Sequence, residues 1–255
     1  MRIKLIANKL GYKDNRFVKV IRFYNKFAHF CSFRAGDFMY WYMGHLFEAI
    51  DFVENPLYEQ IISDIAHQKF SLVEQFFTPE EVAIFRQSLM EKYEEDAFKK
   101  AAIGNKLHET IVKSIRGDVI LWMDETKANP AETLFFNKIN ALVNYLNKTC
   151  FLGILQKEFH YAIYPKNTFY KRHIDTFQND DRRKLSVVCY LNEAGWLPEN
   201  GGELVLYLNE NGEEVEKVIY PFPGRVVIFE SQIIEHEVKP VNTQRLSITG
   251  WLKTR

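Results

Sequence analysis

Arg245-Leu246-Ser247-Ile248-Thr249-Gly250-Trp251-Leu252-Lys253 alternates polar and apolar side chains almost residue by residue. Successive side chains of an extended strand point to opposite faces, so Arg245, Ser247, Thr249 and Trp251 share one face and Leu246, Ile248 and Leu252 the other. The stretch predicts a strand with a cation and two hydroxyls on one side. A fixed guanidinium beside hydroxyls, pointing into an apolar barrel, has the make-up of a carboxylate clamp, because its planar donors match the two oxygens of a carboxylate. Working back along the chain, similar short runs recur at 235–238, 225–229, 215–220, 203–208, 185–191 and 157–164. They are punctuated by Asn200-Gly201-Gly202, Asn211-Gly212 and Pro223-Gly224, which are turn signals. Many short strands at this spacing predict a sandwich or barrel, here a jelly roll (double-stranded β-helix): a mainly β chain with buttressing helices.

Within this β-rich half lies His173-Ile174-Asp175. In an extended chain His173 and Asp175 point the same way and Ile174 away from them. By itself the triplet is a weak signal, since His-x-Asp arises often by chance. A third ligand from a distant strand, His236, would complete a two-histidine, one-carboxylate face with open positions opposite. That arrangement suits non-haem Fe(II) handling oxygen. The other histidines, His29, His45, His67, His108 and His160, lack paired spacing and receive no metal role.

The matching stretches are Tyr164-Pro165, Tyr170 through Asp175, Val188-Cys189-Tyr190-Leu191-Asn192, Gly201-Gly202-Glu203-Leu204, His236-Glu237-Val238-Lys239-Pro240 and Arg245 through Trp251, with Ile115-Arg116-Gly117-Asp118 and a strand through Trp122 upstream. In these residues the chain resembles the Fe(II)- and 2-oxoglutarate-dependent dioxygenases, within them the prolyl 4-hydroxylase branch that includes the hypoxia-factor prolyl hydroxylases and their bacterial relatives. The similarity spans residues 70 to 255, around a jelly-roll core of 157–253, and leaves 1–69 as a basic, aromatic extension with helical support.

The resemblance implies that His173, Asp175 and His236 hold Fe(II) and that Arg245 grips the far carboxylate of 2-oxoglutarate. It implies that Tyr190 and Thr249 hydrogen-bond to that end and that Tyr164 reaches toward the cosubstrate. Val188, Leu204 and Val238 would wall the pocket, Trp251 would sit on the substrate side of the metal, and Arg182 would stand at the pocket mouth. The implied reaction consumes O2 and 2-oxoglutarate, releases succinate and CO2, and hydroxylates a prolyl residue of a protein or peptide, with ascorbate a common companion in relatives. The segment from Asp124 to Asn129 corresponds to a loop that closes over peptide in relatives, and here it is short. Two alternatives stay open: the same chemistry on a free amino acid, another side chain or a small molecule, and a non-catalytic barrel that binds without turnover.

Helices are expected ahead of the β-rich half. Thr78-Pro79-Glu80-Glu81 reads as N-cap, proline at the first helical position and glutamate reaching back, opening a helix to about Lys99 with Val82, Phe85, Leu89 and Tyr93 inward. Asn129-Pro130-Ala131-Glu132 repeats that grammar, opening a helix to about Lys148 with Phe135, Ile139, Leu142 and Leu146 on one face. A strand is expected over 71–77, and helices over 37–70 broken near Asn55-Pro56.

Composition sets the bounds. The chain of 255 residues is 47% apolar and 26% charged, enough for a sizeable core and not disordered in make-up. Zero formal net charge gives nucleic acid no claim as the default partner. The total hides a split, because nine basic residues against Asp14 in the first 34 leave 24 basic and 32 acidic residues in the rest. Cys31, Cys150 and Cys189 are scattered, odd in number and without CxxC spacing, which points to reduced thiols and a cytoplasmic setting. No long uncharged apolar run suggests a transmembrane helix.

Overall fold

The computed structural model describes residues 53–95, 99–100, 115–176 and 181–254. The expectations for the basic N-terminal stretch and for helices before residue 53 lie outside them. One compact unit runs Pro56–Arg255 and so takes in a helix ahead of residue 70. This helix, α1 (Pro56–Gln68), starts on the proline at the expected break and packs against β1 (Phe70–Val73) and α3 (Pro130–Cys150). Between them comes α2 (Pro79–Glu94).

Both helix starts follow their local chemistry. The Thr78 and Asn129 side chains accept from the Glu81 and Glu132 N–H groups, while each glutamate accepts from the cap's own N–H. Each box satisfies two donors that a helix end leaves without partners. The inward residues of α2 and α3 are buried as expected, except that Tyr93 is half-buried. Helix α2 stops at Glu94, short of Lys99. Lys99–Lys100 forms β2, whose residues pair with Val119 and Ile120 of β3 (Val119–Trp122), so pairing at a sheet edge overrides helix propensity there.

The strands that follow are β4 (Gln156–Tyr164), β5 (Tyr170–His173), β6 (Arg183–Tyr190), β7 (Leu204–Glu210), β8 (Glu213–Ile219), β9 (Val226–Glu230), β10 (Glu235–Val238) and β11 (Arg245–Lys253). They form two antiparallel sheets, seven-stranded in the order β1-β9-β6-β11-β4-β3-β2 and four-stranded in the order β5-β10-β7-β8. These two sheets make a jelly roll with helices against it, the expected fold class.

Alternation along β11 divides the molecule into two cores. Leu246, Ile248 and Leu252 join Phe85, Leu89, Phe135 and Ile139 in the cluster that binds α2 and α3 to the large sheet. Arg245, Ser247, Thr249 and Trp251 take the other face, the side of the second cluster, where Tyr164, Val188, Tyr190, Leu204 and Val238 meet. Gly250 lies opposite Phe159. A β-carbon there would come within 2.1 Å of the Glu158 carbonyl oxygen and 2.4 Å of the Phe159 ring. Phe159, 1% exposed, stacks edge-on against Phe135 at 5.1 Å, so the missing side chain is what lets strand and helix core close.

Segment 124–129 is a tied connection. Asp124 caps a 3-10 turn at Glu125–Lys127 by accepting from the Thr126 N–H. Glu125 accepts from Asn140 at 2.9 Å and pairs with Lys157 at 2.6 Å. These bonds fasten it to α3 and β4. Among the described residues no helix is long and apolar enough to cross a membrane.

Candidate metal centre

His173 ends β5, and His236 sits directly across from it in β10 as its register partner. Asp175 stands two residues past His173, just beyond the end of the strand. Alternation therefore gives the right direction, although the carboxylate lies outside the ladder that carries the histidine. One ligand atom from each of His173, Asp175 and His236 falls within 4.8 Å of the others. The His173 Nε2 is 3.6 Å from Asp175 Oδ1, and the His236 Nε2 is 3.5 Å from Oδ2.

Each imidazole is held from behind. His173 Nδ1 is 2.7 Å from the Lys171 carbonyl oxygen and His236 Nδ1 is 3.2 Å from that of Ile234. A carbonyl can only accept, so each Nδ1 donates to it and each Nε2 is turned toward the centre. Tyr170 stacks on the His173 ring at 3.6 Å. Arg116 lies 4.4 Å over the Tyr170 ring and is paired at 2.6 Å with buried Asp118. Burial draws His236 below its ordinary value, keeping it neutral. Burial alone would raise Asp175, but His236, His173 and the Ser186 hydroxyl hold it well below the usual carboxylate range. Two imidazoles and one carboxylate, converging through Nε2 and carboxylate oxygens, form a donor set that fits a divalent metal with open coordination positions.

Arg245, on the β11 face that meets the second cluster, is 1% exposed. Its guanidinium lies 4.9 Å from the Tyr164 ring centre and 5.0 Å from that of Tyr190, with Ser247 Oγ 3.5 Å from Nη1. Ser247 and Thr249 hydroxyls are 3.4 Å apart. Among the described residues no carboxylate lies within ion-pair reach, and the Arg245 Nε and the Tyr190 hydroxyl have no hydrogen-bond partner. A cation removed from water without an anion is costly, so these donors fit a ligand that brings its own carboxylate. Gly202 makes room for the arginine stem, since a β-carbon there would lie 3.0 Å from Arg245 Cδ. Leu204 and Val238 are buried in the wall, as is Val188.

Trp251, 9% exposed, has Ser186 opposite it in the ladder. It packs 5.6 Å from His160, which in turn is 4.9 Å from exposed Trp122. Burial keeps His160 neutral, pushed down to about 3, with its Nδ1 lacking a partner among the described residues. Arg183, rather than Arg182, turns toward the centre. It lies 3.5 Å over the Trp251 ring, and its Nη1 donates to the Asp175 main-chain oxygen at 3.1 Å. A register shift between Leu252 and Lys253 of β11 explains this: Leu185 pairs with Leu252 and Arg183 with Lys253, leaving Lys184 over, so Arg183 swings to the face of Ser186. Sequence pattern gave no sign of a role for Ser186 or His160, because a long-range packing contact leaves no period to read.

Residues 159–253 match the model of the 2OG-Fe(II) oxygenase superfamily. Comparison with curated protein sequences gave no match. Among solved structures, a prolyl-4-hydroxylase from Pseudomonas putida is 34% identical, with 78% of this chain and 99% of that one covered at a TM-score of 0.69. A prolyl hydroxylase from Trichoplax adhaerens, solved with a hypoxia inducible factor peptide fragment, is 27% identical over 77% of this chain and 89% of that one, also at 0.69. The epimerase SnoN from nogalamycin biosynthesis shares the fold at 12% identity and a TM-score of 0.56, covering 77% of this chain and 82% of that one. A donor set suited to iron and a buried cation awaiting a carboxylate thus occur in a chain that belongs to the 2OG-Fe(II) oxygenase superfamily, enzymes that use Fe(II), 2-oxoglutarate and O2.

Proposed function

We propose that this chain hydroxylates a prolyl residue in a protein or peptide. The observation that carries the acceptor is the 34% identity to the Pseudomonas putida prolyl-4-hydroxylase across 99% of that chain. SnoN carries no such weight, because its likeness is one of fold alone. In this reading residues 70–255 form the oxygenase domain, and His173, Asp175 and His236 would hold Fe(II). Fe(II) held there would supply, with 2-oxoglutarate and O2, the oxidising power for an overall reaction in which one oxygen atom enters a C–H bond and the other enters succinate, with CO2 released.

The protein's own part is to bind, orient and keep dry. Arg245 takes the distal carboxylate of 2-oxoglutarate, with the Tyr190 hydroxyl and Thr249 as further donors. Tyr164 lies against the same end, its phenol kept protonated by burial. Leu204, Val238 and Val188 exclude water, which strengthens the charged contacts inside and suppresses side reactions. Trp251 flanks the side from which an acceptor would arrive. A non-catalytic barrel has no use for an unpaired buried guanidinium together with three clustered ligand groups. A cytoplasmic setting is proposed from the free thiols of Cys150 and Cys189.

Succinate formation from 2-oxoglutarate with Fe(II) tests the chemistry. Wild type turns over, and His173→Ala and Arg245→Ala do not; activity retained in His173→Ala removes the ligand assignment. Peptide mass spectrometry then looks for a gain of one oxygen atom on proline. Succinate release with no such gain on any proline-bearing peptide moves the acceptor to a small molecule or another side chain. Running the assay with and without ascorbate tests the expected reductant.

A further inference from the structure

Asp175 is a ligand candidate that no strand ladder holds, so something else must fix its carboxylate. Two residues of β6 do so. Arg183 holds its main-chain oxygen, and the Ser186 Oγ donates to its Oδ2 at 2.6 Å. The Ser186 hydroxyl lies 2.9 Å from that of Ser231, just past β9, and both serines are fully buried. The main chain ties the same two segments together, with the Ser231 N–H donating to the Lys184 carbonyl at the bulge, 3.1 Å away.

The direction of this chain of hydroxyls is set by its end. An ionised carboxylate only accepts, so the single Ser186 proton is committed to Asp175, and across the 2.9 Å contact Ser231 must be the donor. We propose that Ser231 and Ser186 form a one-way hydroxyl relay that fixes the rotation of the Asp175 carboxylate, making Ser186 a positioning residue for the metal. The inference rests on the reading of His173, Asp175 and His236 as the metal site. A free carboxylate two residues past a strand end could turn about its own axis. With Oδ2 bonded to Ser186, the carboxylate presents a fixed face to the two Nε2 atoms. The relay also reaches from β6 to its neighbour β9, so the ligand is braced by two strands of the large sheet while both histidines belong to the small one. Two serines that merely satisfied one another in an apolar interior would affect folding and leave the metal untouched.

The test is calorimetric titration of full-length protein with Mn(II) in the presence of 2-oxoglutarate, alongside melting of the metal-free protein. Loss of a partner that orients a ligand costs roughly 10- to 100-fold in metal affinity, which is the loss expected for Ser186→Ala, with metal-free melting close to wild type. Ser186→Thr keeps the hydroxyl and restores binding. Ser231→Ala loses less, and the double variant Ser186→Ala/Ser231→Ala is no weaker than Ser186→Ala alone, because Ser231 acts only through its neighbour. Wild-type affinity in Ser186→Ala overturns the proposal, as does a Ser231→Ala loss that adds in full to that of Ser186→Ala. Should Ser186→Ala fail to fold, Ser231→Ala decides, since it leaves the bond to Asp175 in place; unchanged affinity there also overturns the relay. A wild-type protein that takes up no Mn(II) brings down the metal-site reading itself, a different result from a wild type that binds and a variant that binds equally.

Discussion

Arg245 carries a full charge into the protein interior and meets there two aromatic faces, a serine hydroxyl and no anion among the described residues. That is a destabilised arrangement until a carboxylate arrives, which sets up opposite effects of one substitution. Arg245→Met removes an uncompensated buried charge and is expected to melt higher than wild type without ligand. It is also expected to lose about 3 kcal/mol of 2-oxoglutarate binding, roughly a hundredfold in affinity. Thermal shift with and without 2-oxoglutarate checks both, and a ligand shift as large as that of wild type would mean the carboxylate goes elsewhere. His160 offers a pH test away from the ligands. In the folded protein its imidazole is pushed down to about 3, first by burial and then by Arg116, while the unfolded chain keeps 6.5. Below 6.5 the unfolded state takes up a proton that the folded state refuses, so stability falls as pH drops from 6.5 toward 3, by about 1.4 kcal/mol per pH unit for one group. His160→Phe is expected to flatten that part of the profile in denaturant melts. The cluster of candidate ligands could be picked out in the sequence because alternation, a histidine pair and an arginine could be read together with neighbouring motifs. Ser186 and Ser231 could not, since a serine in a strand has no signature until its partner 45 residues away is placed.

Elements were legible where chemistry is local. Two capping boxes announced α2 and α3, and period-two alternation gave β11 its faces and its bounds. What failed was decided at a distance: α2 ends early because Lys99 and Lys100 are claimed by β3, and β6 changes face at Lys184 because that residue is left out of the pairing with β11. Gly250 shows how tightly β11 is fitted. Its position matters through contact with a carbonyl and a ring rather than through its own torsions. Gly250→Ala is expected to lose about 1–3 kcal/mol or more by overpacking, read as a lower urea midpoint with an unchanged slope. A variant as stable as wild type would mean that β4 and β11 can part at that pair without cost to the Phe159–Phe135 packing.

At the scale of the molecule, texture alone indicated two packed sheets, since alternating strands with one wet and one dry face have few other solutions. The strand order could not be read, because β1 pairs with β9 and β6 with β11 across long stretches of chain, and such pairings are set by the whole fold. The metal candidates tie that order together: both histidines come from the four-stranded sheet and Asp175 is bonded to Ser186 of the seven-stranded one. A divalent ion bound there is expected to stabilise both sheets at once. At a hundred times its dissociation constant it contributes about 2.7 kcal/mol, which for a chain of this size raises the melting temperature by roughly 5–10 °C. Mn(II) should produce that shift and a chelator reverse it, and a shift of the same size in His236→Ala would place the ion elsewhere. Trp122 is half in water and its ring centre lies 6.2 Å from that of the buried Trp251, with His160 packed against both. Their unequal exposure makes the pair its own optical probe: a quencher dissolved in the buffer should dim the outer indole before the inner one, and a bound molecule that covers Trp122 should shield it without any added label.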